Sequence, residues 1–200
     1  MQLRFAVPED AAALLRIYRE YIDTTITFEY ALPAEAEFAG RIAAFTADGY
    51  PYLALFDGEQ PASYAYAHRA QERAAYGWNA ELSIYIARAY AHHGLGRLLY
   101  GTLMELLRLQ GVKTVYGVVT SPNPPSEALH AAMGFHRAAR FTDAGYKNGG
   151  WHDVTWFERE LAPRDGKPAP LRPISEIAQS AALLRICEAE IARKFSAKSL

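Results

Sequence analysis

The sequence predicts an α/β fold, an α+β arrangement in which helices pack on a mixed β-sheet. Strand and helix signals follow one another in the order β-α-α-β-β-β-α-β-α-β-β. One strand–helix–strand unit lies between residues 80 and 119, and such a unit places its two strands parallel. The chain has 200 residues, of which half are apolar, and is therefore long enough to bury a full hydrophobic core.

The first half of the chain combines a strand, two helices and a hairpin. Apolar residues at helical spacing follow Pro8, and a second helical pattern begins near Pro33. The turn signal Asp57-Gly58-Glu59 separates two arms rich in tyrosine and small residues. The predicted elements are a strand over 2–7, helices over about 10–22 and 33–48, and hairpin strands over 51–56 and 62–68.

The second half contains the crossover and two final strands. A strongly periodic helix follows Gly94-Leu95-Gly96 and ends at Gly111, which is a typical helix-terminating residue. The predicted elements are a strand over 79–88, a helix over 95–111, a strand over 112–120, a short helix to Met133, and strand segments from Phe135 to Leu161.

The C-terminal segment differs in composition from the rest. Residues 162–173 are rich in Pro, Gly and charge, and residues 174–195 predict an added helix. We therefore expect a domain over 1–161 and an extension over 162–200. The apolar stripe of the added helix either docks on its own domain or adds to a homodimer interface. The stripe comprises Ile177, Ala181, Leu184, Ile191 and Phe195.

Charge and cysteine content exclude several classes of protein. Lys and Arg number 21 against 22 Asp and Glu, so the net charge of −1 argues against a nucleic-acid partner. The apolar runs are shorter than the roughly 18 residues that a membrane span requires. A single cysteine, Cys187, permits no internal disulfide and fits a reducing compartment. We expect a cytoplasmic protein with no membrane partner.

The glycine turn between the predicted strand and helix is suited to bind an anion. Backbone N–H groups at a helix N-terminus and the positive end of the helix dipole attract phosphate. A Rossmann site is excluded because Leu99 stands where a third small residue is needed, and a P-loop is excluded because Arg97-Leu98 follows Gly96. The turn comprises His92, His93, Gly94, Leu95, Gly96 and Arg97.

Five separated motifs, in order, resemble the GNAT superfamily of N-acetyltransferases, and within it the phosphinothricin acetyltransferase branch. The resemblance covers about residues 2–177. One departure is Ala91, where the superfamily usually has Gln or Arg. The motifs are Tyr76-x-Trp78-x-Ala80-Glu81, His93-Gly94-Leu95-Gly96, Pro122-Asn123, Leu129-His130 and Ala144-Gly145-Tyr146-Lys147-x-Gly149-x-Trp151-His152-Asp153.

The resemblance implies a fold with splayed central strands that binds acetyl-CoA, and commonly a homodimer. It places the cofactor pyrophosphate on residues 92–97 and a further cofactor contact at Asn123. It also implies that the pantetheine arm pairs, like an added strand, with Ile84, Tyr85 and Ile86.

Two residues are the candidates for proton transfer. Glu81 lies among apolar residues, where burial would raise the pKa of its carboxyl, although pairing with an arginine is the simpler reading of the residue alone. The resemblance implies that Glu81 is the general base, acting through water. His130 occupies the position of a tyrosine thought to protonate the CoA thiolate in many GNAT enzymes, and a histidine there can act as acid or base near neutral pH. A lone helix histidine is, however, usually structural.

The resemblance implies an amino-acid pocket lined by Phe28, Arg73, Tyr76 and Trp78. The Arg73 guanidinium can bind a carboxylate or phosphinate through two parallel hydrogen bonds. Tyr146, Trp151 and His152 belong to this pocket wall or to the core. The six histidines lack metal-ligand spacing, so we expect no metal.

The expected activity is direct, acetyl-CoA-dependent N-acetylation of the α-amine of a small amino acid such as phosphinothricin, methionine sulfone or methionine sulfoximine. Two alternatives stay open: acetylation of a peptide N-terminus or another amine, and a non-catalytic acyl-CoA sensor.

Overall fold

A seven-stranded mixed sheet forms the centre of the protein and confirms the predicted fold class. The structure is a computed structural model that describes residues 1–196; positions 197–200 of the predicted extension lie outside the described residues. The strands are β1 (Gln2–Phe5), β2 (Tyr52–Asp57), β3 (Gln60–Arg69), β4 (Asn79–Ile86), β5 (Thr114–Ser121), β6 (His136–Lys147) and β7 (Gly150–Glu160).

The strand order is β1-β2-β3-β4-β5-β7-β6. Strands β4 and β5 pair in parallel, and each other neighbouring pair is antiparallel. The parallel pair confirms the crossover predicted between residues 80 and 119. The parallel β4–β5 pair joins two antiparallel halves of the sheet, β1-β2-β3-β4 and β5-β7-β6.

Helices cover both faces of this sheet in the predicted order. They are α1 (Ala11–Ile22), α2 (Glu35–Ala47), α3 (Leu95–Gln110), α4 (Pro124–Ala132) and α5 (Ser180–Ser196). Helices α1 and α2 pack on one face, where Leu14 and Ile42 are fully buried against β2 and β3. Helix α3 buries Leu99 and Leu103 against the opposite face. Residues on alternate faces of β4 therefore meet different helices.

The C-terminal helix begins later than predicted and packs on its own chain. A 3₁₀ turn over Ile174–Glu176 precedes α5, which contacts α3 and β1. Leu184 and Ile191 are buried in the same core as the sheet, together with Cys187. Ala181, predicted to belong to the apolar stripe, is exposed. Ile177, Leu184 and Ile191 of the stripe are thus covered within the chain, which favours docking on its own domain over a role in a dimer interface.

Within residues 1–196, no helix is both long enough and apolar enough to cross a membrane.

Candidate functional site

The central feature of the site is a gap between two parallel strands. Pairing of β4 with β5 runs from Asn79 opposite Thr114 to Glu81 opposite Tyr116. Beyond that point a cavity opens between Leu82–Tyr85 and Val118–Thr120. Ile26, from the α1–α2 loop, and His130, from α4, line the same cavity. The gap therefore connects the two faces of the sheet.

The backbone of β4 offers hydrogen-bonding groups to this gap. Ser63 Oγ donates to Tyr85 O at 2.8 Å and Ala87 N donates to Ala62 O at 2.9 Å, so the odd-numbered residues direct their backbone groups toward β3. Because successive residues of a strand direct their backbone N–H and C=O groups to opposite sides, the backbone groups of Leu82, Ile84 and Ile86 are directed into the gap. Of the predicted pantetheine partners, Ile84 and Ile86 thus offer backbone groups.

Tyrosine hydroxyls lie beside two of these carbonyls. The Tyr21 hydroxyl donates to Ile86 O, and the Tyr100 hydroxyl lies 3.3 Å from Leu82 O. Ile84 lies between them. Tyr85 also lines the cavity, but its backbone groups are directed toward β3.

Glu81 is the last residue of β4 paired with β5 and lies one residue before the cavity lining. Its side chain is 23% exposed, and its Oε1 lies 3.8 Å from His68 Nε2. The ionic partner is therefore a histidine and not the arginine of the simpler reading. Burial raises the pKa of the Glu81 carboxyl, and the charge of His68 opposes that shift.

His130 lies on the other side of the gap, at the inner end of a hydrogen-bonded chain. Its Nδ1 donates to Ser126 O at 2.8 Å, so Nε2 is left to accept from the Tyr100 hydroxyl, 3.2 Å away. The ring stacks on Phe157 with centroids 4.9 Å apart. Burial lowers the pKa of His130, and the imidazole is neutral at neutral pH.

The glycine turn has the backbone that the sequence predicted. Gly94 is the N-cap of α3 in the left-handed conformation, with φ 76°, and His92 is left-handed as well, with φ 63°. A side chain on Gly96 would press on Leu129 at 3.3 Å. Leu95 is buried in the core, whereas His92 and Arg97 are exposed. His93 Nδ1 pairs with Ala91 O at 2.7 Å.

Asn123 combines a capping role with a place in the cavity wall. Its Oδ1 accepts from Ser126 N at 3.3 Å at the start of α4. The backbone N–H of Asn123 donates in turn to Glu127 at 3.1 Å. Because the side-chain N–H₂ group makes neither bond, it can still donate to a ligand in the cavity.

The structure does not bring the predicted substrate residues to this cavity. Arg73 and Tyr76 lie on the exposed β3–β4 loop. The Trp78 indole donates to Ala169 O at 2.8 Å and so binds the C-terminal linker. Phe28 packs on Gly145, where an added Cβ would lie 2.3 Å from its ring.

Lys147 holds the loop that carries Ile26. Its ammonium donates to Ile22 O at 2.6 Å and to Thr27 O at 2.7 Å, and the residue is only 3% exposed. Asn148 Nδ2 donates to Asp23 O at 3.0 Å, and the Tyr30 hydroxyl donates to Tyr146 O. Burial lowers the pKa of Lys147. The β6–β7 turn therefore fixes the α1–α2 loop beside the cavity.

Three residues of the site were not predicted from the sequence. Tyr100 has the spacing of the apolar stripe of α3, and Lys147 belongs to a motif that indicates no role for its own side chain. Gly117 in the middle of β5 gave an available signal, because a glycine inside a strand often marks the close approach of another group.

Among residues 1–196, no group of three or more His, Cys, Asp or Glu side chains is placed to hold a metal ion.

Comparison with known proteins matches this architecture to an enzyme family. The family described as "Acetyltransferase (GNAT) domain" matches residues 3–156. Phosphinothricin N-acetyltransferase of Streptomyces viridochromogenes is 34% identical over 178 residues, which cover 88% of this chain and 96% of the relative. L-methionine sulfoximine/L-methionine sulfone acetyltransferase of Salmonella typhimurium is 28% identical, covering 80% and 95% of the two chains.

A solved structure shows the same fold. The GNAT superfamily phosphinothricin acetyltransferase from Sinorhizobium meliloti, in complex with acetyl-CoA, superposes with a TM-score of 0.81. It is 32% identical, and the match covers 87% of this chain and 96% of that one.

Proposed function

The chain belongs to the GNAT acetyltransferase family and is an N-acetyltransferase that uses acetyl-CoA, and we propose that its acceptor is the α-amine of a small amino acid with an oxidised, tetrahedral end group. Phosphinothricin, methionine sulfone and methionine sulfoximine have this chemistry. The relatives named for these substrates support the proposal.

The mechanism is inferred from the gap that joins the two faces of the sheet, with the half-buried Glu81 carboxylate at its base. Glu81 is our candidate base, and a raised pKa suits a carboxyl that accepts a proton from an ammonium. Since Glu81 lies just outside the cavity lining, we place one water molecule between it and the amine. The uncharged amine then attacks the thioester carbonyl.

The negative charge that develops on the carbonyl oxygen needs a donor in the gap. The backbone N–H of Ile84 is our candidate, because strand alternation directs it there. The C–S bond breaks as the nitrogen loses its second proton to solvent and the new amide forms, and the thiolate takes up a proton. The Tyr100 hydroxyl, which lines the cavity, is the candidate donor for that proton, and His130, 3.2 Å from it, positions it; donation by His130 itself requires that its Nε2 first take up a proton.

Transfer is direct in this scheme, without an acyl-enzyme. The candidate nucleophile by residue type, Cys187, is buried in α5, and burial raises the pKa of its thiol. Such a thiol is a poor nucleophile and does not line the cavity.

For the cosubstrate, we propose that the turn from His92 to Arg97 binds the pyrophosphate and that Asn123 and the β4 backbone bind the pantetheine arm. Free backbone N–H groups at the start of α3 and the gap at Ile84 support this placement. Arg73, Tyr76, Trp78 and Phe28 remain substrate-pocket proposals. Since they lie away from the cavity, the proposal requires the β3–β4 loop, which carries Arg73, Tyr76 and Trp78, and the α1–α2 loop, which carries Phe28, to move.

We propose a cytoplasmic homodimer as the working form. The buried reduced thiol of Cys187 supports a reducing compartment. Strand β6 forms the edge of the sheet. Phe141 in β6 is 53% exposed, and Trp151 in the neighbouring strand β7 is 62% exposed. A second copy covering this edge would bury them. Phe141→Glu should convert a dimer to a monomer in sedimentation velocity; a monomeric parent protein would contradict the proposal.

The acceptor is identified by thiol release from acetyl-CoA across an amine panel. The panel contains phosphinothricin, methionine sulfone, methionine sulfoximine, unmodified methionine and a short peptide with a free N-terminus. The first three should react faster than methionine and the peptide. Preference for the peptide would establish the other amine acceptor, and silence with every amine despite tight CoA binding would favour a sensor.

A further inference from the structure

The last turn of α5 lies against the glycine turn that precedes α3. The rings of Phe195 and His93 are stacked, with centroids 4.6 Å apart and planes inclined by 9°. A Cβ built on Gly94 would lie 3.3 Å from the ammonium of Lys194. The C-terminal extension therefore reaches the proposed pyrophosphate site.

This contact is held in place by the packing of the whole helix. Leu184 and Ile191 are buried in the main core, and α5 contacts both α3 and β1. Because α5 packs on the domain along its length, the backbone of Lys194 lies at a defined position beside the glycine turn.

Among the described residues, positive groups converge on this position. The N-terminal end of α3 carries partial positive charge, and the first turn of α3 contains no acidic residue. Arg97 is exposed in that first turn. On α5 the neighbouring Arg193 pairs with Glu190 at 3.9 Å, and no ion pair of Lys194 is found within residues 1–196. A cation beside a helix N-terminus meets the partial positive charge of that end, and an anion bound between them would relieve this repulsion.

We propose that Lys194 is a phosphate-binding residue of the acetyl-CoA site, supplied by a helix outside the matched family domain. The family match ends at residue 156, so this cation is an addition of the extension to the site. The inference rests on the proposed placement of the pyrophosphate at residues 92–97. The stacking of Phe195 on His93 holds the turn in the shape that receives the phosphate.

The test compares Lys194→Gln with the matched control Arg185→Gln. Both variants remove one exposed positive charge from α5, and a rise of 1.5 Å per residue places Arg185 about 13 Å along the helix from Lys194. Affinities for CoA and for S-acetylpantetheine, which has no pyrophosphate, are measured by titration calorimetry. Lys194→Gln should weaken CoA binding about 10-fold and leave S-acetylpantetheine unchanged.

Two further measurements sharpen the result. The CoA effect should shrink at high salt, and Lys194→Arg should retain most of the affinity. The proposal is overturned if Lys194→Gln binds CoA as tightly as Arg185→Gln, or if it weakens both ligands equally.

A separate variant tests the placement on which the inference rests. Gly94→Asp puts a carboxylate in the turn, at a left-handed position that Asp tolerates better than most residues. It should strongly weaken CoA binding. If it has no effect, the pyrophosphate lies elsewhere and the proposed placement fails; if it weakens binding while Lys194→Gln does not, the role of Lys194 alone fails.

Discussion

The imidazole of His130 lies so close to the backbone of Gly117 that a Cβ at that position would be 2.0 Å from Nε2. No side chain can occupy this point of β5 unless the ring moves. The contact fixes the histidine against the gap and stacks it on Phe157. A glycine inside a strand thus decides where a candidate catalytic side chain is placed.

Gly117→Ala should displace His130 and disturb the cavity wall. We expect a stability loss of about 1–3 kcal/mol from overpacking, and a lower acetylation rate. Denaturant unfolding and steady-state kinetics measure both effects. The control is Gly101→Ala in α3, where the added Cβ would lie 3.7 Å from Met133 Cε, an ordinary contact. That variant should keep its stability; equal behaviour of the two variants would refute the packing argument.

His130 should make the stability of the protein depend on pH. Its pKa is lower in the native state than the ordinary value of 6.5, so the unfolded chain binds a proton that the native protein does not. Stability should therefore fall as pH decreases below about 6.5, and continue to fall until the native pKa is reached. His130→Asn should show a shallower pH dependence in unfolding titrations. Parallel curves for the two proteins would be inconsistent with a buried neutral histidine.

Glu81→Gln should reduce the acetylation rate by about 10²–10⁴-fold with little change in acetyl-CoA affinity. The amide cannot take the ammonium proton, yet it has nearly the same shape as the carboxyl. A near-normal rate at neutral pH would remove Glu81 from the mechanism.

His68→Gln offers a milder test of the same carboxylate. Since the charge of His68 lowers the pKa of Glu81, its removal should shift the acid limb of the kcat/KM profile to higher pH. An unshifted limb would show that another group titrates there.

Lys147→Met should loosen the α1–α2 loop. The substitution leaves the carbonyls of Ile22 and Thr27 without their donor, so we expect a stability loss of about 1–3 kcal/mol and a higher KM for the amine. Acetyl-CoA affinity should not change. Asn148→Ala, which removes the single bond to Asp23 O, should have a smaller effect. A larger effect from Asn148→Ala would contradict the role given to Lys147.

Most of the helices, strands and turns could be predicted from the sequence, because each is indicated by residues that are neighbours in the chain. The apolar period of α3 ends at Gly111, whose φ of 102° stops the helix as expected. The same reasoning placed the crossover, the hairpin and the glycine turn. The start of α5 was wrong by several residues, because Pro173 is followed by a short 3₁₀ turn and not by a continuous helix.

The site was less predictable, since its geometry depends on contacts between distant parts of the chain. Trp78 binds Ala169, 91 positions away, and no local pattern reports such a contact. Tyr100 has the spacing of a core residue, and the structure is needed to show that its hydroxyl lies beside His130. The glycine turn, by contrast, carries its anion-binding geometry in its own backbone.

The most direct test of the central claim is the acetylation of phosphinothricin by the purified protein, with N-acetyl product identified by mass spectrometry and thiol release followed in time. We expect product formation that requires both substrates in a ternary complex, with intersecting double-reciprocal plots and a large loss of rate in Glu81→Gln. Parallel plots would indicate an acyl-enzyme, and the absence of N-acetyl product from phosphinothricin, methionine sulfone and methionine sulfoximine would contradict the claim.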